Sequence, residues 1–475
     1  MKRWLTLVLS VSLLAVSGGL ADVSAQVDSG PTWGGRIAYF NTTAEDAPLN
    51  VVYYDADGNP YAQDGDSLPL VPPYGSGTFL VNSTLPESGG AAVLEAPSGV
   101  LAVYEQVATG DDVKYGQPLY SGMEAQEAGG LLFVPYFVYQ YSELYYKTPI
   151  TLSATLGVQN VTDAPVDVRV LENGVELAAA TIPPQSSRHF DGEDLGLAAG
   201  TRTALVVEGP DSSILGAVVV EQESDGRRAF AYEAQGPARA SQSLTMSRLT
   251  CSTLTRRLRS RYYVQASEDT TVDVLFYTNG GAKINPSKPL NFTGLAVSAG
   301  QSLEIDPCLD SRLVGKTGSV VVTSSGAALT GVGMVRDRYG VGTTFAAQVT
   351  PAPAPSYRYA LPYVVWGKTS TLPRTYISML NLGNAKANIE VRYYRADGSL
   401  GNKKNPTLRY KGVPLHAVRN TTPYSAYVLR SGAFAGAVEV ISDQPLLVTA
   451  RVQRAVTKVP GTTRVAEDYD AFYLP

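Results

Sequence analysis

The stretch Val-Val-Tyr-Tyr-Asp-Ala-Asp-Gly at residues 51–58 recurs as Val-Arg-Tyr-Tyr-Arg-Ala-Asp-Gly at residues 391–398. Each copy is typical of a strand that runs into an Asx-Gly turn, a dipeptide that tolerates the positive φ of tight hairpins. The offset, 391 − 51, is 340 residues, or three steps of about 113, and Asn173-Gly174 and Asn279-Gly280 lie near the intermediate places. Because a period of this length is that of a whole domain, the sequence predicts four tandem repeats.

A second marker with the same period is an apolar run that ends in proline. It occurs at Leu132–Tyr136 and at Tyr359–Tyr363, where the prolines are two periods apart, and Ser243–Leu249 supplies a weaker strand between them. A domain-sized segment follows each of these runs. The same phrase returns at Phe472–Pro475, where no further domain follows. We therefore expect the C-terminal segment to be an unpaired opening strand.

Residues 1–25 are predicted to be a secretory signal. Lys2 and Arg3 precede an apolar core at Leu5–Val16, and small residues at Val23–Ala25 suit a signal peptidase. A membrane anchor is the alternative for this segment. No second long apolar run follows, so the mature chain is expected to be secreted, extracellular and not inserted in a membrane. One period before Pro135 lies position 22, so signal removal is expected to leave the first repeat without its opening strand.

The composition, with 45 glycines, 30 prolines and 29 tyrosines, suits an exported all-β protein. Short alternating runs separated by turn signals predict β-sandwiches. Within the first repeat we expect Asn50–Tyr54 to end in a hairpin turn, and Ala91–Glu95 to form a second hairpin with Val100–Tyr104. The predicted domains comprise a signal at 1–25, sandwiches at 26–127 (incomplete), 128–240, 241–355 and 356–468, and a C-terminal donor strand at 469–475.

Charge is distributed unevenly along the chain, although the net charge is only −5. The first repeat has 2 basic and 14 acidic side chains, a net of −12, and the second has 7 and 14, a net of −7. The third has 11 and 7, a net of +4, and the fourth has 16 and 7, a net of +9. Complementary ends favour head-to-tail contact. An anionic surface ligand for the basic end is the alternative.

In architecture the repeats resemble immunoglobulin-like or fibronectin-type domains, without the Cys…Trp…Cys spacing of antibodies. A sandwich that lacks a strand exposes unpaired N–H and C=O groups, and an added strand can bury them. The last residues, Ala471, Phe472, Tyr473, Leu474 and Pro475, are the predicted donor strand, with Phe472 and Leu474 facing the core. This logic resembles that of bacterial pilins and biofilm fibre proteins, in which a donated strand joins subunits. The alternative is that the tail completes its own fourth repeat.

Cys251 and Cys308 are the only cysteines, and both lie in the third repeat. In an exported chain such a pair predicts a disulfide, and two buried thiols are the alternative. Five N-x-S/T triplets offer glycosylation sites, although such triplets also arise by chance. They lie at Asn41, Asn82, Asn160, Asn291 and Asn420.

Nothing in the sequence indicates catalysis or a resident metal. The two histidines, His189 and His416, lie in different repeats, and no Gly-x-Ser-x-Gly motif frames a serine. Acidic residues between Asp55 and Asp66 depart from the calcium-loop pattern, so a turn is the preferred interpretation and calcium stays open. Arg257, Arg259 and Arg261 alternate along a predicted strand and could contact an acidic neighbour, a polyanion or solvent.

Together these features predict a structural subunit of an extracellular filament or sheath at the cell surface. Its partner would be itself, as a head-to-tail homopolymer joined by the donated C-terminal strand. No enzyme activity, cofactor or nucleic-acid partner is expected. The alternative function is that of a monomeric surface adhesin or glycan-binding protein with several domains.

Overall fold

The computed structural model describes most of the chain. The described residues are 4–9, 32–55, 57–62, 70–81, 91–97, 99–109, 119–121, 123–124, 129–145, 148–211, 215–223, 229–252, 258–284, 292–337, 342–369, 372–401, 407–429, 432–455 and 464–474. Their regular structure consists of antiparallel strands and two single-turn 3₁₀ helices, Pro237–Arg239 and Pro307–Leu309. The all-β prediction is confirmed.

The strands fall in four consecutive stretches of chain, which we call modules one to four. Module one has two antiparallel sheets, with strand orders β4-β3-β6-β1-β9 and β5-β2-β7-β8. Its strands are β1 Trp4–Leu9, β2 Thr32–Asn41, β3 Asn50–Tyr54, β4 Pro60–Ala62, β5 Ser76–Val81, β6 Ala91–Pro97, β7 Val100–Thr109, β8 Leu119–Ser121 and β9 Met123–Glu124.

Module two repeats this plan, with strand orders β10-β16-β13-β14 and β11-β12-β17-β18, and with β15 paired to β12. Its strands are β10 Leu131–Tyr139, β11 Tyr141–Tyr145, β12 Thr148–Asn160, β13 Val166–Glu172, β14 Val175–Ile182, β15 Ser187–Phe190, β16 Thr201–Glu208, β17 Leu215–Glu223 and β18 Ala229–Glu233. In β13, Val166, Val168 and Val170 are buried while Asp167 and Arg169 are exposed, the period of two that one packed sheet face requires.

Modules three and four follow the same order of strands. Module three has the sheets β19-β24-β21-β22 and β23-β20-β25-β26, built from β19 Ser243–Thr250, β20 Arg259–Ala266, β21 Thr270–Thr278, β22 Leu295–Val297, β23 Ser302–Ile305, β24 Thr317–Ser324, β25 Leu329–Arg336 and β26 Gly342–Ala346. Module four has strands β27 Tyr357–Trp366, β28 Arg374–Asn381, β29 Ala387–Arg395, β30 Thr407–Val413, β31 Val418–Thr421, β32 Phe434–Ser442, β33 Leu446–Ala455, β34 Arg464–Asp470 and β35 Phe472–Leu474.

In module four the two sheet halves join, because Trp366 of β27 pairs with Arg374 of β28. One half has the order β30-β29-β32-β27, with β35 paired to β27. The other half has the order β28-β33-β34, with β31 paired to β28. The described chain is thus sandwich-like throughout, whereas its likeness to immunoglobulin domains and the number of domains stay predictions.

The prediction of a second hairpin in the first repeat was wrong. Ala91–Pro97 pairs with β3 and β1, whereas Val100–Thr109 pairs with β2 and β8, so the two strands belong to different sheets. β16 and β17 are divided between two sheets in the same way, as are β24 and β25. The physical reason is that Val100–Thr109 finds ten backbone partners in β2 of the other sheet, from Asn41 opposite Val100 to Thr32 opposite Thr109.

The predicted opening strands are confirmed in modules two, three and four as β10, β19 and β27. Each has an irregular register at the same place, between Val134 and Phe137 in β10 and between Leu361 and Val364 in β27. Pro135 and Pro362 lie in these bulges, where the missing N–H of proline costs no ladder hydrogen bond. The apolar run that ends in proline therefore marks the bulged opening strand of modules two and four.

The four modules do not form an extended rod, which the expected fibre of tandem sandwiches had implied. One strand near the C-terminal end of each module takes part in a cycle of contacts, β8 with β18, β18 with β26, β26 with β34, and β34 with β8. Buried clusters cross the module boundaries: Phe40, Leu101 and Val103 of module one share a cluster with Tyr394 of module four. The modules therefore form a closed ring in which the fourth packs against the first.

Candidate assembly site

The opening strand of module one is β1, a segment of the predicted signal. Trp4–Leu9 lies between β6 and β9, with Leu9 opposite Ala92 and Val8 opposite both Val93 and Met123. The position corresponds to that of β10 in module two, where Phe133 lies opposite Val206 and Gln235. The repeat period predicts that this strand position is empty after signal cleavage. In the structure it is occupied by residues that precede the predicted cleavage site. Residues 10–25 lie outside the described part of the chain.

The predicted donor strand is paired with its own module. Tyr473 of β35 lies opposite Tyr359 of β27, and Phe472 lies opposite Ala360. Phe472 is 6% exposed and belongs to the core of module four, while Leu474 packs partly buried against the same core. Pro475 lies outside the described residues. This arrangement is the alternative that the sequence left open, in which the tail completes the fourth repeat.

The same short pairing closes every module. Gln235 pairs with Phe133 in module two, Gln348 pairs with Thr245 in module three, and Met123 pairs with β1 in module one. β35 therefore holds a closing position next to the opening strand, instead of being an opening strand itself. An apolar i, i+2 pattern suits both positions, because they are neighbours in one sheet and face one core. The periodicity alone does not distinguish them.

The Asx-Gly turns that revealed the repeat lie at the joints between modules. Gly58, Gly174, Gly281 and Gly398 hold equivalent positive-φ positions, so in module three the turn glycine is Gly281 and not the expected Gly280. A Cβ at Gly58 would lie 2.5 Å from the carbonyl oxygen of Pro184 in module two. One at Gly281 would lie 2.2 Å from that of Leu415 in module four. The hairpins of Gly58, Gly281 and Gly398 each pack against a turn of a neighbouring module, whereas no atom lies within 4 Å of a Cβ at Gly174.

The receiving turns are also equivalent. Tyr74, Gln185 and His416 each follow the residue that the hairpin contacts, and their φ angles are 55°, 57° and 56°. At the joint between modules two and three the contact is looser, because Asn173 lines a cleft of about 290 Å³ with Gln301.

The joint between modules four and one closes the ring with the same contacts. A Cβ at Gly398 would lie 2.0 Å from the carbonyl oxygen of Pro73. The N–H of Ser76 donates to the carbonyl of Ala396 over 3.2 Å. In the joint between modules three and four the equivalent N–H of Val418 donates to the carbonyl of Asn279 over 2.9 Å. The ring closure therefore reproduces an internal joint, although no chain segment links modules four and one directly.

Buried charges reinforce this closing joint. Arg454 of module four forms an ion pair with Glu105 of module one; the side chain of Glu105 is buried and that of Arg454 is 12% exposed. Arg36 donates to the same carboxylate over 3.1 Å and to the hydroxyl of Tyr363 over 3.2 Å. Tyr74 and Tyr394 stack across the joint with ring centroids 5.1 Å apart. The acidic first module and the basic fourth module are thus neighbours within one chain.

Ion pairs with a buried carboxylate also lie at the joint between modules two and three and at the joint between modules three and four. Arg336 of module three pairs with Glu221 of module two, whose carboxylate also accepts from the hydroxyl of Tyr136 over 3.2 Å. Arg248 of module three lies 2.7 Å from Asp468 of module four. Removing both charges from water costs free energy that is recovered only while the two partners stay paired. Such pairs therefore favour one arrangement of the modules more than they add to the free energy of folding.

Carboxylates of β34 lie at the centre of the ring. Burial raises the pKa of Glu467 well above its ordinary value, and the neighbouring Asp468 adds to the effect. Burial raises the pKa of Asp470 to about 7, against a 2.8 Å hydrogen bond from Gln348 that lowers it. For Asp468 burial also raises the pKa, but Arg248 and Arg451 outweigh it and the pKa is lowered. The protonation of the β34 carboxylates, just before β35, therefore depends on their burial and on the neighbouring charges.

Two predicted glycosylation sites lie in the interior. The side-chain amide of Asn160 is fully buried and donates to the carbonyls of Ala164, Ile182 and Pro183, over 2.7, 3.0 and 3.1 Å. Asn41 is also fully buried and makes the same three kinds of bond. Neither nitrogen has room for a glycan in the folded chain. The physical role of both is to hold a turn, and Asn381, which sequence reasoning missed, repeats it in module four.

The other sequons differ. Asn420 is exposed on β31, so its glycosylation stays a prediction, while Asn82 and Asn291 lie outside the described residues. A strand-ending Asn at equivalent places in repeats one, two and four was the signal that could have revealed the turn. In module three Ala266 holds this place, opposite Leu329 as Asn160 is opposite Leu215.

The disulfide prediction is confirmed: Cys251 and Cys308 are bonded, 57 residues apart in sequence. Of the arginines of module three, Arg261 pairs with Glu143 of module two and lies 3.5 Å from Asp306, so it contacts an acidic neighbour. Arg259 pairs with Asp306, and Arg257 lies outside the described residues.

The remaining candidate residues also have structural partners. The carboxylate of Asp55 accepts from the N–H groups of Asp57 and Asn59 over 3.0 and 2.8 Å, which is an Asx turn. Asp64 and Asp66 lie outside the described residues. Burial lowers the pKa of His189 to about 4, and the ring of His416 packs 3.8 Å from that of Tyr277. Within the described ranges no three His, Cys, Asp or Glu side chains group as metal ligands would.

None of the helices in the described part of the chain is long and apolar enough to span a bilayer. In comparisons with models of protein families, with curated proteins and with solved structures, no match to the chain was found.

Proposed function

We propose that the mature chain is a structural subunit of an extracellular assembly, in which module one accepts a strand from a second molecule. The supporting observation is the place of β1. Trp4–Leu9 occupies an internal slot of the first sheet, and the same residues belong to the predicted signal. Removal of residues 1–25 would leave that slot empty in every exported molecule.

An empty slot at this place is costly. β1 pairs with six residues of β6 on one side and with β9 on the other, so its loss frees backbone groups on both flanking strands. Leu94 and Ala96 of β6 are buried in the core of module one. Unpaired N–H and C=O groups beside an apolar core favour pairing with any strand of suitable pattern.

The proposed donor is the C-terminal segment of another copy. Phe472 and Leu474 would take the places that Leu132 and Val134 hold in module two, where both side chains are fully buried. Donation requires β35 to leave β27, which then becomes an edge strand. Since donor and acceptor lie on different modules, the contact is heterologous and adds subunits in a line.

A second candidate function is that of a monomeric surface or glycan-binding protein. The observation that favours it is the pairing of β35 with its own module, because a tail that stays at Tyr359 and Ala360 offers no strand. The closed ring gives further support, since the two charged ends are already in contact.

Light scattering of four samples tests the proposal. Residues 26–475 should form particles larger than one chain, whereas residues 26–469, which lack the donor, should stay monomeric. Addition of a peptide that contains residues 4–9 should cap the slot and reduce the size of the 26–475 particles. The same peptide with Leu7→Pro should have little effect, because proline lacks the N–H that pairing needs. Monomers in every sample would instead support the second candidate.

A further inference from the structure

We propose that the joint between modules four and one exchanges between copies of this chain, so that its partner is a second copy. The inference concerns the faces that close the ring. It does not depend on the loss of β1 or on donation of β35.

The closing joint has the construction of a joint between linked modules. Its hydrogen bond from Ser76 to Ala396 corresponds to the bond from Val418 to Asn279, in which the two modules are continuous in sequence. The contact of Gly398 with Pro73 corresponds to that of Gly281 with Leu415. Only the closing joint lacks a direct covalent connection between its two modules, so only this joint can separate without any strain on a linker.

The two faces are complementary to each other in charge, and one aromatic pair stacks between them. The face of module one presents Glu105 and Tyr74, and the face of module four presents Arg454 and Tyr394. Module one has a net charge of −12 over residues 26–127, and module four has +9 over residues 356–468 together with the tail. A chain whose joint has opened therefore carries one face of each kind, and a second opened copy presents both matching faces.

The balance between the exchanged form and the closed ring depends on the protein concentration. Within one chain the faces meet at an effective concentration in the mM range or higher, so the closed ring dominates in dilute solution. Between copies the same contacts link module four of one molecule to module one of the next, as in domain swapping. The exchanged form should therefore become more abundant as the protein is concentrated.

Crosslinking with a short bis-maleimide tests the exchange. We would mix two single variants, Pro73→Cys and Asp397→Cys, whose positions adjoin across the closing joint. The matched control mixes Leu415→Cys and Gly280→Cys, the equivalent positions across the joint between modules three and four. The native cysteines do not react, because they are bonded to each other. A double variant with both Pro73→Cys and Asp397→Cys verifies the joint by crosslinking within one chain.

We expect covalent dimers from the first mixture at several times the yield of the control mixture, increasing with protein concentration. Equal yields from the two mixtures, or no dimer from either while the double variant crosslinks internally, would overturn the proposal. Gly398→Ala, added to the double variant, should reduce its internal crosslinking because the new Cβ meets Pro73. Gly174→Ala has the same positive φ but no atom within 4 Å, and should leave that crosslinking unchanged. The uncleaved chain, whose slot is filled by β1, should give the same result if exchange is independent of strand donation.

Discussion

The guanidinium of Arg454 forms a buried ion pair with the carboxylate of Glu105, which joins the basic end of the chain to its acidic end. The sequence predicted that these ends attract one another, but it assigned the attraction to separate molecules. Within one chain the pair holds module four against module one. Burial lowers the pKa of Arg454 to about 9, and the neighbouring positive charge of Arg36 adds to the effect.

We expect Glu105→Gln to loosen the closing joint. Removal of one partner from a buried ion pair costs about 3–5 kcal/mol, since the other charge stays desolvated. Hydrogen exchange should become faster at the N–H of Ser76, which donates to the carbonyl of Ala396 across this joint. Glu208→Gln is the control, because its partner Arg169 is 56% exposed and such pairs contribute under about 1 kcal/mol. Equal exchange in both variants would contradict a structural role for Glu105.

Asn160→Ala should destabilise module two by about 3 kcal/mol. The substitution leaves three carbonyls without their donor, and each buried polar group that loses its partner costs about 1–3 kcal/mol. The measurement is the thermal unfolding midpoint of the purified chain. Asn420→Ala, at an exposed sequon, should shift the midpoint by a degree or less. A matching loss in the two variants would indicate that the turn contributes nothing specific.

The stability of module four should depend on the protonation of Asp470. Burial raises the pKa of its carboxyl from 3.8 to about 7, so the folded state binds the proton more tightly than the unfolded state. This contribution to stability is therefore complete below about pH 4 and is lost as the pH rises to 7. Asp470→Asn should raise the unfolding midpoint at pH 8 and have little effect at pH 4.

Asp468→Asn should change the unfolding midpoint at pH 8 in the opposite direction to Asp470→Asn. The pKa of Asp468 is lowered because Arg248 and Arg451 outweigh its burial, so the ionised form stabilises the fold. Its substitution should lower the midpoint at pH 8. If both variants shift the midpoint in the same direction at pH 8, the electrostatic assignment of β34 is wrong.

Loss of the disulfide should destabilise module three selectively. For a loop of 57 residues, chain entropy gives a contribution of roughly 4 kcal/mol. We expect the double variant Cys251→Ser with Cys308→Ser to show a lower unfolding midpoint than the oxidised chain, and to be insensitive to reductant. An unchanged midpoint would mean that the bond is dispensable for the fold.

Much of the fold could be predicted from the sequence because its strands and turns are local signals. Valine–charge alternation in β13 and the Asx-Gly dipeptides depend on nearest neighbours and pleat geometry. The closing of the ring could not be predicted, because Glu105 and Arg454 are 349 residues apart and nothing local records their contact. The place of Phe472 was also ambiguous, since neighbouring strands of one sheet share the same apolar pattern. The buried role of Asn160 required the partners of its amide, which only the folded chain brings together.

The most direct test of strand acceptance by module one is negative-stain electron microscopy of two chains at equal concentration. One is the mature chain, residues 26–475, and the other is the uncleaved chain, residues 1–475, expressed without export so that Trp4–Leu9 stays in its slot. We predict linked, end-to-end particles from the mature chain and single compact particles from the uncleaved chain. Single compact particles from both would contradict the proposal that the first module is completed by a second molecule.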